Sequence, residues 1–125
     1  MKYLVMIYTD EKLLDALPDA EFDTMMGQCD AYAAGLKQSG CLIASQKLQP
    51  VEMATTLRMR NGKLSTTDGP FAETKEQLGG FNLIEARDRD EAIHIASRFP
   101  WTRTGCVEIR PVQEASPLPD PAPRS

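Results

Sequence analysis

Tyr3-Leu4-Val5-Met6-Ile7-Tyr8 decides the fold of this chain, because it favours extended structure and is apolar at both alternating positions. Side chains alternate between faces along a strand, so such a run predicts a strand covered on both sides. Beyond it the period lengthens. After Pro18, Asp19 caps a helix whose apolar positions Phe22, Met25, Met26, Cys29, Tyr32, Ala33 and Leu36 recur at three and four residues, ending at Gly40. Cys41 to Leu48 reads as a short strand stopped by Pro50. Thr55 to Arg60 and Lys63 to Thr67 flank Asn61-Gly62, which supplies the two positive φ angles of a type I′ loop. The predicted hairpin sets Met59 opposite Leu64 and Arg58 opposite Ser65. Leu57, Met59 and Leu64 then share one face, and Thr56, Arg58 and Arg60 the other.

Leu78 to Ala86 is a further strand, and Asp88 with Glu91 forms a capping-box-like start to a second helix ended by Pro100. Ala92, Ile95, Ala96 and Phe99 make its buried stripe, with His94 roughly opposite on the solvent side. In the last strand, Gly105 to Val112, Val107 and Ile109 lie on one face and Glu108 and Arg110 on the other. Strand, helix, strand, hairpin, strand, helix, strand is the pattern of an α+β ferredoxin-like sandwich, a split β-α-β arrangement with two helices on one sheet face. That leaves one sheet face bare. Because Tyr3 to Tyr8 is apolar on both parities, the bare face is expected to be covered by a second copy, giving a homodimer through its sheet faces. The domain spans 1–112, and the Pro-rich stretch 113–125, with Pro117, Pro119, Pro121 and Pro123, reads as a disordered tail.

Composition narrows the partners. The 125 residues are 42% hydrophobic and 26% charged, as in a soluble globular domain, and the formal net charge of -4 argues against nucleic acid and anionic membrane surfaces. The apolar run at the N-terminus is too short for a signal peptide, and nothing approaches the roughly 20 apolar residues of a membrane span. Cys29, Cys41 and Cys106 form no C-x-x-C pair, so reduced thiols in the cytoplasm are expected. With no metal-ligand spacing and no phosphate loop, no metal and no cofactor is expected either.

The densest polar cluster is Asp68-Gly69-Pro70-Phe71-Ala72-Glu73-Thr74-Lys75-Glu76-Gln77-Leu78-Gly79-Gly80. Asp68 is the candidate general acid or base, against the alternative that Asp before Gly-Pro organises a turn. Glu73 and Lys75 are candidate ligand contacts, beside Phe71 as an apolar anchor. Arg58, Glu108 and Arg110 sit opposite the apolar parity of their strands. They line the space between sheets, either to bind a small anion or to form ion pairs between subunits. Tyr8 and Tyr32 are candidate hydrogen-bond donors to a ligand. Trp101 and Phe99 read as core or interface, and Cys106 as a small buried hydrophobe, since no histidine is placed to activate it.

The segment Thr67 to Glu76, followed by Gly79-Gly80 and the closing Val107-Glu108-Ile109-Arg110-Pro111-Val112, resembles the DGPF branch of the YCII-related proteins. Met1-Lys2-Tyr3-Leu4 with Tyr8, and Gly40, Leu48, Pro50, Thr56, Arg58, Gly62 and Pro100, fit the same pattern, so the likeness covers 1–112. It implies a ferredoxin-like fold that dimerises as a dimeric α/β barrel. It also implies suspected enzymatic function through a histidine and aspartate pair, the histidine on the first helix. Here that helix holds no histidine, Tyr32 falls near the place, and His94 is on the second helix, so the pair does not transfer. Relatives encoded beside extracytoplasmic-function sigma factors imply a regulatory setting. Two readings follow. One is a cofactor-free enzyme acting on a small polar or aromatic molecule in an inter-sheet cleft, with Asp68 as acid or base, Arg58 or Lys75 orienting an anionic group, and Tyr8 or Tyr32 donating a hydrogen bond. The other is a non-catalytic small-molecule sensor or regulatory binding protein associated with such a sigma factor.

Overall fold

The computed structural model describes residues 1–114, so the expected tail lies outside the described residues from 115 onward. Its elements are β1 (Lys2–Thr9), α1 (Glu11–Asp15), α2 (Asp19–Gln38), β2 (Leu42–Lys47), β3 (Thr55–Arg60), β4 (Lys63–Asp68), β5 (Gln77–Glu85), α3 (Arg89–Ser97) and β6 (Gly105–Pro111). Four strands form one antiparallel sheet in the order β2-β5-β1-β6, and β3 and β4 pair separately. This is the split β-α-β order, with the Tyr3 to Tyr8 run at its centre and a free-standing hairpin added between β2 and β5.

Alternation along β1 divides the molecule into two sides. Tyr3 and Val5 point into the helix layer, packing with Ile84, Ala92, Ile95 and Ala96, while Ile7 joins Met25, Phe99 and Trp101. Full burial of side chains such as Val5 and Ile84 contributes about 1.5–3 kcal/mol each. The intervening Leu4, Met6 and Tyr8 point to the other face, and β1–β5 register sets them beside Phe81 and Leu83. All five are half-buried in a single chain. This apolar open face is what the two-sided reading of β1 anticipated.

The helices begin as their capping chemistry directs. Asp88 accepts the Glu91 backbone N–H at 2.8 Å, and Glu91 reaches back to the Arg87 N–H at 3.1 Å. Asp19 is the first helical residue of α2 instead of its cap; Pro18 precedes it and makes no side-chain cap bond. α3 stops at Ser97 because Phe99, before Pro100, is held extended, and Pro100 opens a short 3-10 turn to Arg103. Asn61 and Gly62 take positive φ (51° and 76°), and the hairpin has the expected register, Met59 opposite Leu64 and Arg58 opposite Ser65. Because this hairpin stands apart from the sheet, Arg58 does not share a face with Glu108 and Arg110. Among the described residues no helix is long and apolar enough to cross a membrane.

Candidate functional site

Where β1 ends, the open face deepens into a cleft of about 720 Å³ lined by Tyr8, Asp10, Leu13, Thr74, Lys75, Glu76, Cys106 and Glu108. Three segments far apart in sequence meet there. Strand β1 and α1 supply Tyr8, Asp10 and Leu13; the loop before β5 supplies Thr74 to Glu76; β6 supplies Cys106 and Glu108.

Asp10 is the fixed point. Its side chain is 5% exposed. Its Oδ1 accepts the backbone N–H groups of Lys12 (3.1 Å) and Leu13 (3.4 Å), capping α1, and its own N–H donates to the Thr104 carbonyl at 2.9 Å. The second oxygen, Oδ2, is turned toward the Lys75 ammonium 4.0 Å away. Lys75 rides on a loop laced to its own backbone: Gln77 Nε2 donates to the Ala72 and Thr74 carbonyls, and the Thr74 hydroxyl to that of Glu76. Upstream, Arg58 donates to the Phe71 carbonyl at 3.2 Å and Thr56 to that of Gly69 at 2.8 Å, while Gly69 takes a φ of 102° open only to glycine without strain. Much of the polar cluster therefore builds the loop that presents Lys75 and Glu76.

Tyr8 and Lys75 are thus the two predicted ligand residues that the fold brings together. Asp68 is exposed at the end of β4, opposite Thr55, and does not line the cleft. Glu73 is exposed one turn of loop away, and Arg110 is exposed on the open face two residues beyond Glu108. Tyr32 lies on the helix side, where its hydroxyl donates to the Ile95 carbonyl at 2.7 Å and Arg98 sits 5.2 Å above its ring. There it lines a separate groove with Gln28, Arg98 and Arg103. Burial raises the Tyr32 pKa, against the opposing pull of Arg98.

Cys106 is exposed and not buried, a correction that follows from strand parity: Val107 and Ile109 take the helix side, so Cys106 and Glu108 face the cleft. Desolvation, a hydrogen bond to Glu76, and the charges of Glu76 and Glu108 hold its thiol above the usual range. Asp10 is a cleft residue outside the candidates that sequence reasoning names. The available signal was an acid directly after a strand and two residues before helical N–H groups, the pattern of an N-cap. With Asp10, Glu76 and Glu108 against Lys75, the cleft carries a surplus of negative charge. Its wall suits ligands that donate hydrogen bonds, and repels anions. The Tyr8 hydroxyl makes, among the described residues, a single 3.9 Å contact to Met6 Sδ, which leaves it free to meet a ligand.

Known proteins share this architecture. The 5-chloro-2-hydroxyhydroquinone dehydrochlorinase TftG from Burkholderia phenoliruptrix AC1100, solved in complex with 2,5-dihydroxybenzoquinone, superposes with a TM-score of 0.53 at 17% identity, covering 92% of this chain and 96% of that one. That likeness is one of fold. An uncharacterized protein of Rhizobium meliloti (strain 1021) is 38% identical over 114 residues, 90% of this chain and 92% of its own length. Residues 1–116 match the family described as the YCII-related domain, and with a split β-α-β sheet running from Lys2 to Pro111, the chain belongs to that family.

Proposed function

We propose that the chain binds a small, neutral, hydroxylated ring in the Tyr8–Asp10–Lys75 cleft and acts on it by proton transfer, without a resident cofactor. The carrying observation is the buried Asp10 carboxylate, one oxygen held by backbone donors and the other facing Lys75 in the cleft wall. Asp10 Oδ2 accepts the proton of a ligand hydroxyl, the bonding pair stays on the ligand oxygen, and the Lys75 ammonium faces the charge that develops. Tyr8 donates a hydrogen bond from the sheet floor. The aromatic class is supported by the fold neighbour, a dehydrochlorinase named for a hydroxylated benzene. The surplus of carboxylates supports a neutral ligand over the anionic one expected from Arg58 or Lys75. In this reading Asp68 serves the turn that carries the loop, and its Asp-Gly-Pro-Phe run supports placement in the DGPF branch.

A second copy covering the half-buried Leu4, Met6, Phe81 and Leu83 would enclose the cleft as a dimeric α/β barrel. The free thiols at Cys29, Cys41 and Cys106 suit the reducing cytoplasm.

Calorimetric titration under argon with benzene-1,2,4-triol, and separately with 2,5-dihydroxybenzoquinone as the anionic counterpart, tests the reading. The wild type is expected to bind the triol more tightly than the quinone, and Asp10→Asn to lose about tenfold or more in affinity with only a small loss of thermal stability. Equal binding by Asp10→Asn, or none by the wild type, removes the reading. Binding with no turnover assigns the cleft to a sensor.

A further inference from the structure

We propose that the β3–β4 hairpin is an arm that docks on the open sheet face of a second copy of this chain and brings basic side chains to the rim of that copy's acidic cleft. This extends the proposed pairing of sheet faces, and rests on the cleft being acidic.

The hairpin lacks what a hairpin needs. Two strands alone are marginally stable in water, and stability comes from packing one face on something else. Here one face presents Leu57, Met59 and Leu64 at 60%, 68% and 63% exposure, aligned by a register that the Asn61-Gly62 tip fixes. Three large apolar side chains on one rigid face form a contiguous patch, unlike singly scattered surface residues. Among the described residues nothing covers it. The matching surface is Leu4, Met6, Phe81 and Leu83 on the open face, equally apolar and incompletely buried.

Charge selects the same pairing. From Thr55 to Asp68 the hairpin has Arg58, Arg60 and Lys63 against one acid, Asp68, which sits at its base opposite Thr55 and away from the tip. Arg58 is engaged by the Phe71 carbonyl of its own chain, but Arg60 and Lys63, flanking the tip, make no ion pair among the described residues. The cleft offers the complementary charge, with Asp10, Glu76 and Glu108 against Lys75 as the one cation of its lining. The apolar and basic faces are opposed along the ribbon, yet long side chains at the tip reach past the backbone. An arm lying apolar-side down can thus extend the partner's Arg60 and the partner's Lys63 to the cleft rim. Both surfaces occur on every chain, so two copies related by a two-fold axis satisfy each other and the assembly closes.

Sedimentation of the full-length chain at micromolar concentration is expected to show a dimer. Met59→Asp with Leu64→Asp, both at exposed positions, should leave the far-UV spectrum unchanged and raise the dissociation constant about 100-fold. Arg60→Glu with Lys63→Glu should weaken the dimer about tenfold, and adding Glu108→Arg should recover most of that loss. A monomeric wild type, a dimer indifferent to the hairpin substitutions, or a charge swap that restores nothing overturns the proposal. Triol titration separates it from the cleft reading: a chain that binds the triol but dimerises without the hairpin loses only the arm. A hairpin-dependent dimer that binds no triol loses only the ligand.

Discussion

Asp10 Oδ2 lies 4.0 Å from Lys75 Nζ, a pair in which the carboxylate side chain is 5% exposed and the lysine 83% exposed. One partner is fixed by backbone donors and the other is free to follow a ligand. Pairs of this kind contribute only about 0–1 kcal/mol to stability. Lys75→Met should therefore shift the urea midpoint by less than about 0.5 kcal/mol equivalent while lowering triol affinity severalfold. Asp10→Ala, which removes the cap, should cost about 1 kcal/mol, and Asp10→Asn less, since Asn caps nearly as well. Urea unfolding alongside calorimetry checks the split; a Lys75→Met protein that binds as the wild type does would take Lys75 out of the site.

Gly105 is where β6 meets the end of β1. A Cβ there would lie 1.9 Å from the Tyr8 carbonyl oxygen and 2.9 Å from its carbon. Both are backbone atoms of the central strand, so neither can rotate away. Gly105→Ala should cost about 3 kcal/mol or more, or leave the chain insoluble. Gly79→Ala is tight only against the Thr9 side-chain oxygen, at 3.2 Å, with its other neighbours at ordinary contact distance, and should cost far less. Comparable urea midpoints for the two variants would contradict this account of the strand junction.

Cys106 is exposed yet held protonated by desolvation and by the Glu76 and Glu108 carboxylates. Only the thiolate attacks disulfides and alkylating reagents. Labelling of the Cys29→Ala, Cys41→Ala protein at neutral pH should be slower than for a free thiol. Glu76→Gln should speed it severalfold by removing one carboxylate. Rates read with a chromogenic disulfide reagent at several pH values check both claims; an unchanged profile in Glu76→Gln would show that Glu76 does not govern the thiol.

Alkaline pH should destabilise the fold. Cys29 and Cys41 have pKa values raised first by burial, and so does Tyr32. As pH climbs past the unfolded thiol value of about 8.5, the unfolded chain releases protons that the folded chain still holds, so stability falls until the folded values are passed. Below that window these groups contribute nothing to the slope. Urea midpoints should be flat with respect to these groups near neutrality and decline above about pH 8.5. Cys29→Ala should make the decline shallower; a slope identical to that of the wild type would remove Cys29 as a contributor.

Local chemistry made part of this molecule legible and left part hidden. Asn61-Gly62 dictated the hairpin register because the turn type depends on two adjacent residues alone. The α3 stripe of Ala92, Ile95, Ala96 and Phe99 was readable because helical period and burial coincide. Asp10 was hidden because its role depends on which strands neighbour β1, and α1, at five residues, is too short to show a period. Asp68 stands out in sequence because of the turn residues beside it, whose purpose is the path of the loop, while Asp68 itself is exposed at the end of β4. The Cys106 position was readable all along: alternation about Val107 already put it opposite the core.

The central place of β1 has a consequence for how the chain comes together. Its two sheet neighbours are residues 77–85 and 105–111, so within this sheet the first strand in the chain waits for the last two. Pairings of such separation slow folding, since a long loop must close before any contact repays the lost chain entropy. Until β6 is synthesised, Leu4 and Met6 lie along an unpaired edge and the Glu108 side of the cleft is missing. A nascent chain therefore carries an adhesive strand before it carries a cleft, and the last strand to arrive both seals that edge and completes the acidic wall.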